Sequence, residues 1–112
     1  MKKEDKTGVV YKLNCSCDMT YIGESKRNVQ TRIKEHKGYV KNKNKDTVIT
    51  KHIRDNPNHN MDFANFHILD VENNEQKRKF LEMLHIKKYE DKALNLKTDI
   101  HKLNNKYDKI FV

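Results

Sequence analysis

Apolar positions along this chain follow two periodicities, separated by short polar stretches. Val9, Val10, Tyr11 and Leu13 form one β-branched and aromatic run, and Met19 to Ile22 forms another. Runs of this composition favour strands. The link at residues 14–18 carries Cys, Ser and Asp, so the two strands are predicted to pair antiparallel as a hairpin, with Gly23 ending the second. Ser25 is the expected N-cap of a helix from about Lys26 to Val40. In that stretch Val29, Ile33, His36 and Val40 recur at spacings of four, three and four, which defines one helical face. Residues 41–46 are Lys, Asn and Asp only, a solvated loop. Thr47 then caps a short helix with Val48, Ile49, His52 and Ile53 inward, and Pro57 blocks its continuation.

Phe63, Phe66, Ile68, Leu69 and Val71 predict a third strand, buried because it is apolar at both parities near its middle. Asn73 or Asn74 opens a third helix with Phe80, Leu81, Leu84 and His85 inward. The tail holds Ala93 to Leu96, a weakly helical stretch at 98–103, and then Tyr107, Ile110 and Phe111. The expected architecture is α+β: a small three-stranded antiparallel or mixed sheet flanked by three to four helices. Residues 1–7 read as a flexible N-terminus and residues 8–112 as a single domain.

Bulk properties narrow the function. With 112 residues, 35% of them hydrophobic and 36% charged, the core is small and a staple such as a metal would help it. Twenty-four Lys and Arg against sixteen Asp and Glu give a formal net charge of +8, which favours an anionic partner such as nucleic acid. No apolar run approaches the roughly 18 residues of a membrane span, and no secretory signal follows Met1, so an intracellular location and no membrane partner are expected. In that compartment Cys15 and Cys17 are metal ligands or free thiols rather than a disulfide.

Candidate chemistry lies in the first half of the chain and in the third helix. Tyr11 and Tyr21 on adjacent strands can share one phosphate. Arg32 and His36, four residues apart, are neighbours on one helix face, and an arginine fork grips phosphate oxygens in two places. Glu82, between Leu81 and Leu84, is the best-placed carboxylate for Mg²⁺ or a similar hard cation. Taken singly, each has a plainer reading: tyrosines packing in a half-buried sheet, a solvated arginine, an interfacial histidine, a glutamate paired with Arg78 or Lys79. Two thiolates at Cys15 and Cys17 with the imidazoles of His52 and His59 would satisfy a tetrahedral structural zinc, against a plain set of free thiols and surface histidines. His67, His85 and His101 have no comparable arrangement and read as structural or exposed.

The stretch from Gly8 to Arg27, with Val9-Val10-Tyr11 and Tyr21-Ile22-Gly23, continuing to Arg32, Glu35 and His36, resembles a GIY-YIG nuclease domain. More narrowly it resembles the variant found in Penelope-like retroelements, and the resemblance extends through His52, His59, residues 63–70, residues 81–86, Leu94 and Asn95. The first motif's glycine is Val9 here, with Gly8 one place earlier. The resemblance implies a metal-dependent endonuclease that nicks one DNA strand, for retroelement insertion primed at the target. It makes Tyr11 the first-motif tyrosine that deprotonates or orders water, Tyr21 and His36 its phosphate-orienting partners, Arg32 the phosphate grip and Glu82 the lone ligand of Mg²⁺ or Mn²⁺. It also implies a late asparagine, Asn95, near the site, and supports structural Zn²⁺ on the Cys15, Cys17, His52 and His59 set. An unperturbed phenol, with a pKa of about 10, would need Arg32 and the metal to lower it. One active site cuts one strand, so a monomer or weak dimer is expected, with a reverse transcriptase domain on a longer chain as a possible companion and a nuclear location if the element is eukaryotic. The alternatives are an inactive zinc-stapled DNA-binding module and a basic protein–protein adaptor. Lys37, Lys41, Lys43, Lys45 and Lys51 are candidate contacts to the DNA phosphate backbone.

Overall fold

The computed structural model describes residues 6–42 and 46–95. The expected helix at 98–103, the residues Tyr107, Ile110 and Phe111, His101, Lys43, Lys45 and most of the expected N-terminal segment lie outside the described residues.

Six elements follow in order: β1 (Val9–Cys15), β2 (Thr20–Ser25), α1 (Val29–Asn42), α2 (Val48–Asp55), β3 (Met61–Val71) and α3 (Glu75–Lys88). The strands form one open sheet in the order β2-β1-β3, antiparallel throughout. With three helices among the described residues, the fold is the small α+β architecture that the periodicities imply.

β1 takes the centre because it is the most apolar strand: Val9, Val10, Tyr11 and Leu13 are wholly buried. The pleat sends alternate side chains to opposite faces. Val9, Tyr11, Leu13 and Cys15 pack with Val29 and Ile33 of α1, Ile49 of α2, and Met61 and Phe66 of β3. Val10 packs with Ile22, Ile86 and Ala93. Helices α1 and α2 therefore cover one face and α3 the other. At about 1.5–3 kcal/mol per buried aliphatic side chain, both layers are needed to hold so short a chain.

The hairpin closes through Cys15 N–H donating to the Met19 carbonyl at 2.8 Å, with Asp18 at φ 71°, a left-handed conformation that aspartate tolerates. Thr47 caps α2 in a reciprocal box with Thr50, as its position predicts. Asn74 caps α3, its side chain accepting from Lys77 N–H.

Four local expectations are corrected. Gly23 does not end β2, which runs to Ser25. Ser25 does not cap α1: its hydroxyl accepts from Arg27 N–H in a local turn, and Asn28 accepts from Thr31 N–H instead. β3 is an edge strand, not a buried one, and Val71 is 55% exposed. Two register shifts along the β1–β3 ladder break its parity, which scatters its apolar residues over both faces. On α3, Leu84 points outward, and the buried positions are Arg78 and Ile86.

Candidate active site and metal centre

Tyr11 stands opposite Gly23 in the β1–β2 register, and its ring lies against the glycine. A Cβ at Gly23 would come within 2.5 Å of the ring Cζ. The missing side chain thus lets Tyr11 cross the outer strand and carry its hydroxyl toward the edge of β2. There the other groups meet it. His36, two turns into α1 and 2% exposed, brings Nε2 within 2.8 Å of the Tyr11 hydroxyl. Tyr21 lies beside both, with ring centroids 6.4 Å from Tyr11 and 5.4 Å from His36. Arg32, one turn before His36, is held by Glu35 Oε1 at 3.3 Å, and Arg27 grips the same oxygen.

Glu82 comes from α3, on the opposite face of the sheet, yet its charge reaches the phenol. Burial raises the Tyr11 pKa well above the usual phenol value; Tyr21 adds to the rise, Arg32 opposes it, and Glu82 raises it further. Arg32 lowers this phenol as expected, but the guanidinium alone does not outweigh desolvation. Tyr11 keeps its proton at neutral pH. His36 is pushed the other way, to a pKa of about 4, by burial first and then by Arg32. The pair is a neutral phenol facing a neutral imidazole. Burial works against the charge on Arg32, but Tyr11 and Glu35 more than offset it, so its pKa rises.

Asn95 closes the same edge. It is 1% exposed, its carbonyl oxygen accepts from Ile22 N–H at 3.0 Å, and its amide donates to the Ile22 carbonyl at 2.7 Å. Its side chain thus pairs like a strand backbone between Tyr21 and Gly23. The chain around it joins in, with Ala93 bridging Thr20 in parallel.

The second cluster sits at the hairpin turn. Donor atoms of Cys15, Cys17, His52 and His59 all lie within 4.8 Å of one another. His52 Nε2 is 3.3 Å from Cys15 Sγ, 3.4 Å from Cys17 Sγ and 3.2 Å from His59 Nδ1. One ring nitrogen makes a single hydrogen bond, so three polar atoms crowded around it form a set that one metal centre could share. Bond lengths to zinc of about 2.3 Å for sulfur and 2.0–2.1 Å for nitrogen put neighbouring tetrahedral ligands roughly 3.3–3.8 Å apart, close to the separations here. This Cys2His2 set could hold a metal ion such as zinc. Burial and the neighbouring His59 lower the His52 pKa, which keeps the imidazole in its ligating, neutral form.

The remaining candidates are less concentrated. Lys37 and Lys41 lie exposed on α1, and Lys51 on α2 pairs loosely with Asp46 at 3.8 Å. Arg78 and Lys79, the plain partners considered for Glu82, are engaged by Glu24 at 2.6 Å and Glu75 at 3.2 Å. His85 pairs with Asp70 at 2.5 Å and ties α3 to β3, while His67 is exposed. Two participants escaped sequence reasoning: Gly23 as the crossing point, and Arg78 as a buried anchor. The register of the hairpin could have exposed the first; nothing in helical periodicity exposes the second.

Among the described residues no helix is long and apolar enough to cross a membrane. Comparison with protein-family models, with curated proteins and with solved structures finds no match.

Proposed function

We propose that this chain is a divalent-metal-dependent endonuclease of the GIY-YIG type that nicks one strand of DNA. The observation that carries the reading is the convergence of groups from three elements on one hydroxyl: Tyr21 of β2, Arg32 and His36 of α1, and the charge of Glu82 of α3, all around Tyr11. A charged phosphate fits such a place, since two phenols, a guanidinium and one acid supply donors, positive charge and a cation ligand together.

In this reading Tyr11 is a relay and not a free phenolate. Its oxygen takes a proton from the attacking water while its own proton passes to His36 Nε2. The water oxygen bonds to phosphorus and the P–O3′ bond breaks; the departing 3′ oxygen takes a proton from solvent, and His36 releases one in return. Arg32 holds the non-bridging oxygens as charge builds on them, and Tyr21 orients the phosphate. Glu82 would hold Mg²⁺ or Mn²⁺, which supplies Lewis-acid stabilisation of that charge when bound. A single carboxylate suffices, because Mg²⁺ keeps waters and shares substrate oxygens. Zinc on Cys15, Cys17, His52 and His59 is structural in this scheme: four protein ligands leave no position for water. It pins the hairpin turn to α2.

Supercoiled plasmid with Mg²⁺ tests the reading. Open circles are expected from the parent, and Arg32→Ala and Glu82→Ala should lose them. Variants that nick as fast as the parent overturn the assignment. The burial of Tyr11 favours a second reading, since a wholly buried phenol bonded to histidine also suits a structural role. A zinc-stapled DNA-binding module would retard the plasmid without converting it. An insertion role in a retroelement and a reverse transcriptase partner follow from the family resemblance alone.

A further inference from the structure

On the α3 face of the sheet, away from the Tyr11 hydroxyl, lies a cavity of about 460 Å³ at the end of α3. Lys12 of the central strand, Lys88 and Lys92 line it together with Tyr89. The Lys12 ammonium sits 4.9 Å from the centre of the Tyr89 ring and that of Lys88 5.8 Å from it. None of the three lysines forms an ion pair with a described residue. Lys12 is half-buried on the central strand. Instead two ammoniums lie by one aromatic ring and line the same cavity, where an anion could meet both.

Thr20, also lining the cavity, is 6% exposed, and its hydroxyl has no hydrogen-bond partner among the described residues. A buried hydroxyl left unbonded costs about 1–3 kcal/mol, and this one lies just behind the cavity wall, closed to solvent. Asn14 adds an amide at the wall. Asp18 and Asp91 line the cavity too, leaving one net positive charge. A group with several oxygens can meet two ammoniums at once while keeping clear of the acids.

We propose that the cavity bounded by Lys12, Thr20, Lys88, Tyr89 and Lys92 is a phosphate-binding pocket, separate from the Tyr11 site. Phosphate carried by nucleic acid and small free phosphates share this chemistry. The proposal does not depend on the nuclease reading.

Amide NMR of the full chain separates the outcomes, with inorganic phosphate, a 5′-phosphorylated oligothymidylate and its unphosphorylated twin as probes. Saturable shifts centred on Lys12, Thr20 and Tyr89 are expected with the two phosphate-bearing probes at concentrations where the twin leaves these amides still. Lys12→Gln with Lys88→Gln should weaken that binding about tenfold or more; the exposed Lys92→Gln, which does not threaten folding, should weaken it severalfold. Tighter binding of the phosphorylated strand than of inorganic phosphate would assign the pocket to nucleic-acid ends, and the reverse to small phosphates; either supports the pocket. Absent shifts, shifts spread evenly over all lysines, or affinities unchanged in Lys92→Gln would overturn it. A parent that nicks plasmid yet shows no such shifts would sink the pocket and spare the nuclease.

Discussion

Gly23 decides more than its size suggests. Adding one methyl there meets the Tyr11 ring rather than open space, so Gly23→Ala must push the phenol off its line to His36. Overpacking of this kind costs about 1–3 kcal/mol of stability. Displacing a reacting group by an ångström costs on the order of a hundredfold in rate. Nicking should therefore fall far more than the melting temperature; equal, small losses in both would mean that the crossing is incidental. His36 makes a prediction of another sort. Its folded pKa, about 4, lies below the ordinary value of about 6.5, so the folded state prefers the neutral ring. The stability this brings is present above pH 6.5 and is lost as pH falls toward 4, by up to about 3 kcal/mol. Urea unfolding at stepwise pH should show that slope, and His36→Gln should flatten it. Tyr11, Arg32 and His36 were legible as a set from order and spacing alone. The direction of the phenol's shift was not, because spacing reports neighbours and says nothing of how completely water is excluded.

Helix α3 is held to the sheet by an ion pair as well as by the apolar layer around Ile86. Arg78 is 2% exposed, meets Glu24 at 2.6 Å and reaches the carbonyl of Glu72 at 3.2 Å. Glu24 adjoins Gly23, and Arg78 lies one turn before Glu82, so this bond sets where α3 stands over the Tyr11 edge. Removing one partner strands a charge: Arg78→Met should cost about 3 kcal/mol, and Arg78→Met with Glu24→Gln markedly less. Urea unfolding of the single and double variants measures the difference, and additive losses would deny the coupling. Element types and most starts were legible, since Thr47 and Asn74 cap where their side chains say they should. The start of α1 was misplaced because Ser25 and Asn28 both suit an N-cap, and only the extension of β2 past Gly23 settles which is used. The edge position of β3 was hidden by its bulges, which mix the parities from which burial is read.

For the whole molecule, the Cys2His2 cluster joins two parts that are far apart in sequence, the hairpin turn and the α2 corner. If the cluster holds zinc, elemental analysis should find about one per chain, and chelation should lower the melting temperature by more than about 10 °C, a loss of roughly 2 kcal/mol in a domain this size. A metal-free protein with unchanged melting after chelation would refute it. Charge acts at this scale as well: if the chain binds DNA as proposed, its affinity should drop steeply between low and moderate salt with little dependence on base sequence, as phosphate contacts require. The sheet has one last consequence. Residues 93–95 seal the β2 side through the Thr20–Ala93 bridge and the Asn95 amide, while among the described residues nothing pairs with the far side of β3. Eleven residues of unmatched ladder, ending in an exposed valine, make that border the place where crowded copies would zip into aggregates, and a lysine substituted for Val71 the simplest guard for keeping concentrated stocks clear.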